Sequence, residues 1–412
     1  MAEKIITDTS RSATRELEIL LDPQEIQERM DRVARSLQRR VKIRGFRPGK
    51  APLEVVKTMY REEIRSQAFE DVLKDKILEE AKLRNLQIVG PIHLLEQKEE
   101  DGQIKVRTRI EVIPHFEFPP IQEISVKKKV TRVTEAEVER RIQGLRESLA
   151  EFEAKDGKTE PGDYVFVDYE ERDKKGKVRD RLKNAYIVLD PERTNPKIVE
   201  QLLDKQPGDV VEIPMTFQDE QGNEVQRTFI YKIRSIKRRV LPEVDDDFAQ
   251  MLGYENVEEL FKKIREELEE RAREDSERDV ENQIIQEVYQ RIQFEVPPTL
   301  VQERIEILKN QLDPNFLQNL EKPEEFLQAV ATNQIIREIL LDRYAEKMNI
   351  EPTEEEIQEE IERRAKEYRV PPEKYREALE KKNNLGWIKT VIRRRKAMEQ
   401  MKNLVKLEVI VE

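Results

Sequence analysis

The chain has 412 residues and is acidic, with 76 Lys or Arg against 87 Asp or Glu and a formal net charge of −11. Hydrophobic residues make up 37% and charged residues 40%. That is too little apolar material for one core of this length, and it points to roughly two to four domains with long, exposed helices. The lack of cysteine excludes disulfides and thiol chemistry, and no run of about 20 apolar residues offers a membrane span. Two isolated histidines, His93 and His115, are too few for a metal site, and each reads as a surface or packing residue. The first residues, Met1 to Ile5, lack the apolar run of a signal peptide, so the expectation is a soluble, cytoplasmic protein.

Residues 15–21 alternate as a first strand. Asp22-Pro23 then opens a helix, with Asp as N-cap and Pro in the first turn; its apolar face is Ile26, Met30, Val33, Leu37 and Val41. After a loop, a short helix begins near Pro52 and a longer one runs over residues 62–83, with Ile64, Ala68, Val72, Leu73, Ile77 and Ala81 as its buried stripe. Two strands, 87–95 and 103–113, flank a hairpin turn at Asp101-Gly102. Residues 115–121 form an extended linker, because consecutive prolines keep it out of the helical basin. A helix over 134–155 starts at a capping box, Thr134-Glu-Ala-Glu, and carries the stripe Val138, Ile142, Leu145 and Leu149.

From Gly157 to Arg238 the composition turns to Gly, Pro and β-branched residues. Strands are expected at 165–169, 185–189, 210–217 and 226–236, a helix at 196–203 and a turn at Gln221-Gly222-Asn223. A single long helix follows over 257–292 and breaks at Val296-Pro297-Pro298. Further helices are expected at 299–312, 323–347, 353–368, 372–382 and 385–404, then a terminal edge strand over 405–411. The fold class is therefore multidomain α+β and elongated. Its domains are an N-terminal α+β domain (1–114), a linker and helix belonging to the C-terminal domain (115–156), an inserted β+α domain (157–238), and a long all-α C-terminal domain with arms (239–412).

The most distinctive stretch is the loop Arg44-Gly45-Phe46-Arg47-Pro48-Gly49-Lys50-Ala51-Pro52. Between Arg32 and Leu53 lie eight Lys or Arg and no Asp or Glu. A basic patch on an acidic chain is an address for a polyanion. The plain alternative is a solvated turn after a cationic helix end, which accounts for Arg39, Arg40 and Lys42 but not for an aromatic held between glycines. Gly49-Lys50 is not a Walker loop, because Arg44 stands where a Gly is needed and Ala51 where Ser or Thr is needed. No other phosphate cradle is present, so no nucleotide cofactor is expected. A second basic run, Arg393 to Lys396, reads as a solvated helix face.

Gly45-Phe46-Arg47-Pro48-Gly49-Lys50-Ala51-Pro52 resembles the G-F-R-x-G-K-x-P ribosome-docking signature of bacterial trigger factors. Leu241-Pro-Glu-Val-Asp-Asp-Asp-Phe-Ala is also similar to that family, and the domain order agrees over essentially the full length. The resemblance implies an ATP-independent, ribosome-associated chaperone that binds nascent polypeptides at the exit tunnel and assists their folding. It implies that Arg44, Gly45, Phe46, Arg47, Gly49 and Lys50 contact protein and RNA of the large ribosomal subunit. The family often has Lys where this chain has Pro48.

The resemblance also implies that the inserted domain is FKBP-like. The family's prolyl-isomerase pocket maps onto Tyr169, Tyr186, Ile198 and Phe229, with Ile198 in place of the usual aromatic floor. Tyr169, Tyr186 and Phe229 read equally well as core aromatics, and the expectation is weak or absent isomerase activity. The rival readings are an active prolyl isomerase acting on folding chains and an RNA-binding translation factor. The latter is disfavoured by the lack of stacked aromatic platforms. No metal, cofactor or membrane partner is expected, and a homodimer of the free chain is left open.

Overall fold

The first strand, β1 (Thr14–Leu21), buries Leu17, Ile19 and Leu21 on one face. Asp22 ends it and caps α1 (Pro23–Arg40), its side chain accepting the Gln24 N–H at 2.8 Å. Helices α2 (Leu53–Met59) and α3 (Arg61–Leu83) follow, and all six residues expected in the α3 stripe are buried. β2 (Ile88–Glu100) and β3 (Gln103–Val112) complete an antiparallel sheet of order β1-β3-β2. Its apolar face packs Leu17, Ile19, Val106 and Ile110 against Ile26 of α1 and Ala68, Val72 and Ile77 of α3. The computed structural model describes residues 11–47, 49–100, 103–218, 224–382 and 384–411. The turns expected at Asp101-Gly102 and Gln221-Gly222-Asn223, and Pro48, lie outside the described residues.

The extended linker ends in a strand the sequence does not announce, β4 (Ser125–Val130). Helix α4 (Glu135–Ser148) begins at the expected capping box, with Thr134 and Glu137 bonding each other's backbone N–H. It stops at Ser148 rather than Lys155. Residues Glu151–Ala154 form β5 instead, because the Phe152 and Ala154 backbones pair with the end of a neighbouring strand. That neighbour belongs to a five-stranded antiparallel sheet containing β6 (Tyr164–Asp173), β7 (Val178–Val188), β8 (Val210–Gln218) and β9 (Glu224–Val240). The order is β5-β9-β6-β7, with β8 also on β9. Helix α5 (Pro196–Leu202), capped by the Asn195 side chain, covers one face with Val199 and Leu202.

A short helix missed in the sequence, α6 (Asp246–Met251), buries Phe248 with Val138 and Ile142 of α4. It precedes α7 (Val257–Ile292), whose bounds are those expected. The chain divides into two units within α7: Met1–Lys129 with Ser276–Ile410, and Val130–Asp275 with the last two residues.

The remaining elements are α8 (Pro298–Gln311), α9 (Pro314–Gln318), α10 (Pro323–Lys347), α11 (Glu354–Glu367), α12 (Pro372–Lys381), α13 (Leu385–Leu404) and β10 (Lys406–Val411). Of these helices only α9 was not expected. β10 pairs with β4. The core here joins Ile121, Ile124 and Val126 to Val280, Ile284 and Val288 of α7, Ile336 and Leu340 of α10, and Met398 and Met401 of α13. Glu277 of α7 fastens this core at one edge, accepting hydrogen bonds from Lys128 and Lys402. Those two ammonium groups hold its carboxyl at about 2, well below the usual range.

The run Arg393 to Lys396 is not a solvated face. Each member meets a carboxylate: Arg393 meets Glu351, Arg394 meets Glu338 and Asp342, Arg395 meets Glu360, and Lys396 meets Glu356. The sequence shows the cations of α13 but not which acidic side chains α10, α11 and the connection between them bring to it.

Gly90 sets a close approach between β2 and α8. At φ +69°, a Cβ added there would lie 2.8 Å from the Thr299 methyl. Thr299 cannot retreat freely, because its backbone N–H and hydroxyl both donate to Glu111, at 2.9 and 3.0 Å. Gly90→Ala is expected to destabilise the protein by about 2 kcal/mol, combining left-handed backbone strain with overpacking, as read from urea unfolding.

Candidate ribosome-docking loop

Two residues root the basic loop. Ile43 on one side and Ala51 on the other are buried in a small core with Ala34 of α1, Val56 of α2 and Ile64 of α3. The Gln38 side-chain amide donates to the Ala51 carbonyl at 2.6 Å, tying the returning strand of the loop to α1. Within the loop the Phe46 N–H donates to the Ile43 carbonyl at 3.1 Å and the Lys50 N–H to the Arg47 carbonyl at 2.9 Å. Gly45 and Gly49 sit at φ +92° and +80°, and a Cβ at either would meet nothing within 4 Å. Backbone conformation, not space, requires glycine there.

The fixed roots leave the tip outside. Arg44, Arg47 and Lys50 are exposed, and the Phe46 ring keeps 40% of its surface in solvent. The ion-pair pattern is sharper than the exposure. On the same helix, Arg29 pairs with Asp71 and Asp75, and Asp31 pairs with Lys57. From that point none of Arg32, Arg35, Arg39, Arg40, Lys42, Arg44, Arg47 and Lys50 has a carboxylate partner among the described residues. Elsewhere this chain pairs its charges extensively. Eight unneutralised cations thus run from the second half of α1 into the loop that carries the exposed ring, a combination suited to an anionic partner with an apolar pocket.

Comparison with known proteins gives the same direction. The family model described as bacterial trigger factor protein matches residues 3–145, and that of the bacterial trigger factor C-terminus matches residues 256–403. The trigger factor of Aquifex aeolicus is 29% identical over 405 residues, covering 93% of this chain and 84% of the relative. That of Anaeromyxobacter dehalogenans is 28% identical over 427 residues, covering 98% and 100%. The chain belongs to the trigger factor family. It is thus a ribosome-associated chaperone, of a kind that binds ribosomes and nascent chains. A solved trigger factor chaperone structure, titled for promiscuous substrate recognition in folding and assembly, is 24% identical with a TM-score of 0.46, covering 98% of this chain and 99% of that one.

In this trigger factor the four residues mapped to an isomerase pocket do not converge. Tyr169 and Phe229 stack at 6.0 Å between centroids, and both pack with Ile198 against the core under α5. The Tyr169 hydroxyl donates to Glu171 at 3.1 Å, and Arg227 donates to the other oxygen of Glu171 at 2.6 Å. Burial, and then the adjacent Glu171 carboxylate, push the Tyr169 hydroxyl above its ordinary pKa. Tyr186 stands apart. Directly opposite Phe166 in the register, it lies on the other face of the sheet and is 63% exposed. Its neighbours there are Tyr164 and Phe166. The alternation of Tyr164 and Phe166 with the buried Val165 and Val167 was the sequence signal for a second aromatic face.

The helices of the C-terminal region also carry exposed apolar side chains. Ile307 of α8, Phe316 of α9, Phe326 of α10, Tyr368 beside α11 and Trp387 of α13 are all exposed. Phe316 and Phe326 meet edge to face at 5.9 Å. Among the described residues no helix is long and apolar enough to cross a membrane.

Proposed function

We propose that the chain docks on the large ribosomal subunit, beside the exit tunnel, through Arg44, Gly45, Phe46, Arg47, Gly49 and Lys50, and shields emerging polypeptide without ATP. The observation that carries this reading is the run of eight unpaired cations that leads from α1 into a loop rooted at both ends and tipped by an exposed Phe46. The cations suit ribosomal RNA phosphate and the ring suits an apolar pocket on a ribosomal protein. Tethering raises the local concentration of a weak binder near each new chain. The exposed apolar side chains of α8 to α13 then hold unfolded segments until those segments bury their own surface. The working parts are the domain of residues 1–114 for docking, the helix-bearing linker of 115–156, the inserted domain of 157–238 and the helical domain of 239–412. The setting is the cytoplasm, where ribosomes and nascent chains meet. The test is co-sedimentation of the chain with large subunits, which should weaken steeply as salt rises, because phosphate contacts release counterions. Binding indifferent to salt would count against this reading of the loop.

The inserted domain contributes little isomerase activity in this proposal. An FKBP-like pocket lowers the roughly 18–20 kcal/mol barrier by desolvating the prolyl amide inside an aromatic box. Here Ile198 replaces the floor and Tyr186 is on the opposite face, which leaves Tyr169 and Phe229. In a proline-limited refolding assay with the full chain, the slow phase is expected to keep its uncatalysed rate. Acceleration that disappears on Phe229→Ala would establish a working pocket instead.

A further inference from the structure

The inserted domain has a second aromatic surface, on the face of its sheet away from α5. Phe152 of β5, Tyr164 and Phe166 of β6 and Tyr186 of β7 lie side by side across the strands. Phe152 meets Tyr164 edge to face at 4.7 Å, Tyr164 stacks on Tyr186 at 6.0 Å, and Phe166 lies 6.2 Å from Tyr186. Phe152 and Tyr186 are exposed. Among the described residues, neither the Tyr164 nor the Tyr186 hydroxyl has a protein partner. A row of four rings, two exposed and two half-buried, is costly to leave uncovered unless something covers it in use.

The neighbouring edge is open on the same side. β7 is the last strand of the sheet, with β6 as its one partner among the described residues. Its first half is guarded by Arg179, Asp180, Arg181 and Lys183, and Asn184 turns at φ +55°. Its second half, Ala185-Tyr186-Ile187-Val188, carries no charge. Unpaired, uncharged strand edge beside a row of rings is where an extended chain can add backbone hydrogen bonds and seat alternate side chains on the aromatics.

Charge decides the occupant. Residues 151–240 hold 18 Lys or Arg and 19 Asp or Glu, so the domain offers a polyanion no attractive field. The two cations at the patch are already engaged: Lys237 lies over the Phe166 ring at 5.2 Å, and Arg239 donates to the Glu147 carbonyl. The docking loop and the part of α1 that leads into it, with eight free cations between them, are what a surface suited to a polyanion looks like on this chain, and this is its opposite. We propose that the Phe152–Tyr164–Phe166–Tyr186 face and the Ala185–Val188 edge bind an extended, uncharged segment of unfolded polypeptide bearing aromatic or branched side chains. This rests on the chaperone reading above.

The test uses the full chain and reduced, carboxymethylated lactalbumin as a permanently unfolded probe. The double variant Phe152→Ser with Tyr186→Ser should bind it about five- to tenfold more weakly, with an unchanged thermal midpoint. A photoreactive benzoylphenylalanine replacing Tyr186 should cross-link to the probe. If the wild-type chain does not bind the probe, the chaperone reading falls and takes this site with it. If the wild type binds while the double variant binds equally well and no cross-link forms, this site alone is overturned. Cross-linking to an oligouridine, or to a second copy of the chain in place of the probe, would also overturn it.

Discussion

Changing Phe46, Arg47 and Lys50 together to alanine should abolish sedimentation with ribosomes while leaving the unfolding midpoint where it was. The two halves of this expectation come from the same geometry. The three side chains project from the loop, and exposed substitutions away from packing cost within about 0.5 kcal/mol of stability. What holds the loop is the buried pair Ile43 and Ala51, the Gln38 amide and the two glycines, and none of these is touched. Binding is another matter. An anchoring aromatic and charge-assisted contacts are each worth about 1–3 kcal/mol when truncated. Three losses then weaken docking by a hundredfold or more, on the order of what separates pelleting from none. The pelleting assay and a thermal melt on the same preparation decide it. Retained sedimentation would move the docking surface elsewhere, and a lowered midpoint would mean the loop was structural.

The second large effect is inside the helical region. Glu360 of α11 is almost wholly buried, and three guanidinium groups converge on it: Arg363 at 2.6 Å, Arg364 at 2.7 Å and Arg395 of α13 at 2.9 Å. Burial alone would raise its carboxyl, but those hydrogen bonds outweigh desolvation and hold it at about 2. Glu360→Ala leaves three cations facing one another around a void. Removing one partner of a buried ionic cluster costs about 3–5 kcal/mol. The readout is built in, because Arg364 stacks on the indole of Trp387, the sole tryptophan, at 4.4 Å. A urea titration followed by tryptophan fluorescence should show the earlier transition.

Acid reproduces part of this effect. The folded pKa lies below the ordinary 4.5, so the contribution is fully present above about 4.5 and is lost as pH falls toward 2. Glu277 titrates in the same window and in the same direction.

Much of the fold was legible because long periodic stripes survive any tertiary context. The bounds of α7 and α13 follow from their apolar spacing, and α1 follows from Asp22-Pro23. The errors fall where pairing overrides local preference. Glu151–Ala154 is made of residues that suit a helix, and only β9 beside it makes it a strand. β4 reads as polar because three lysines fill it, and it is a strand because β10 returns to it. Of the candidate site, the loop and the eight cations from Arg32 to Lys50 could be read directly. That the cations stay unpaired could not, since it depends on where distant carboxylates come to rest. Tyr186 was mapped to the pocket by resemblance alone, and its face depends on pairing opposite Phe166, on the far side of the slip in the β6–β7 ladder between Val167 and Tyr169.

The cation run on α13 constrains how this chain can change length. Four successive side chains on a helix leave the axis about 100° apart. Arg393, Arg394, Arg395 and Lys396 thus act as spokes, each ending on a different acidic side chain. One residue inserted upstream within α13 would turn the whole set by a spoke, so that Arg393, Arg394 and Arg395 would each face the next cation's former partner and Lys396 would lose its own. Insertions and deletions in this region therefore belong in the connections between helices, and the register of α13 is as fixed as that of a strand in a sheet.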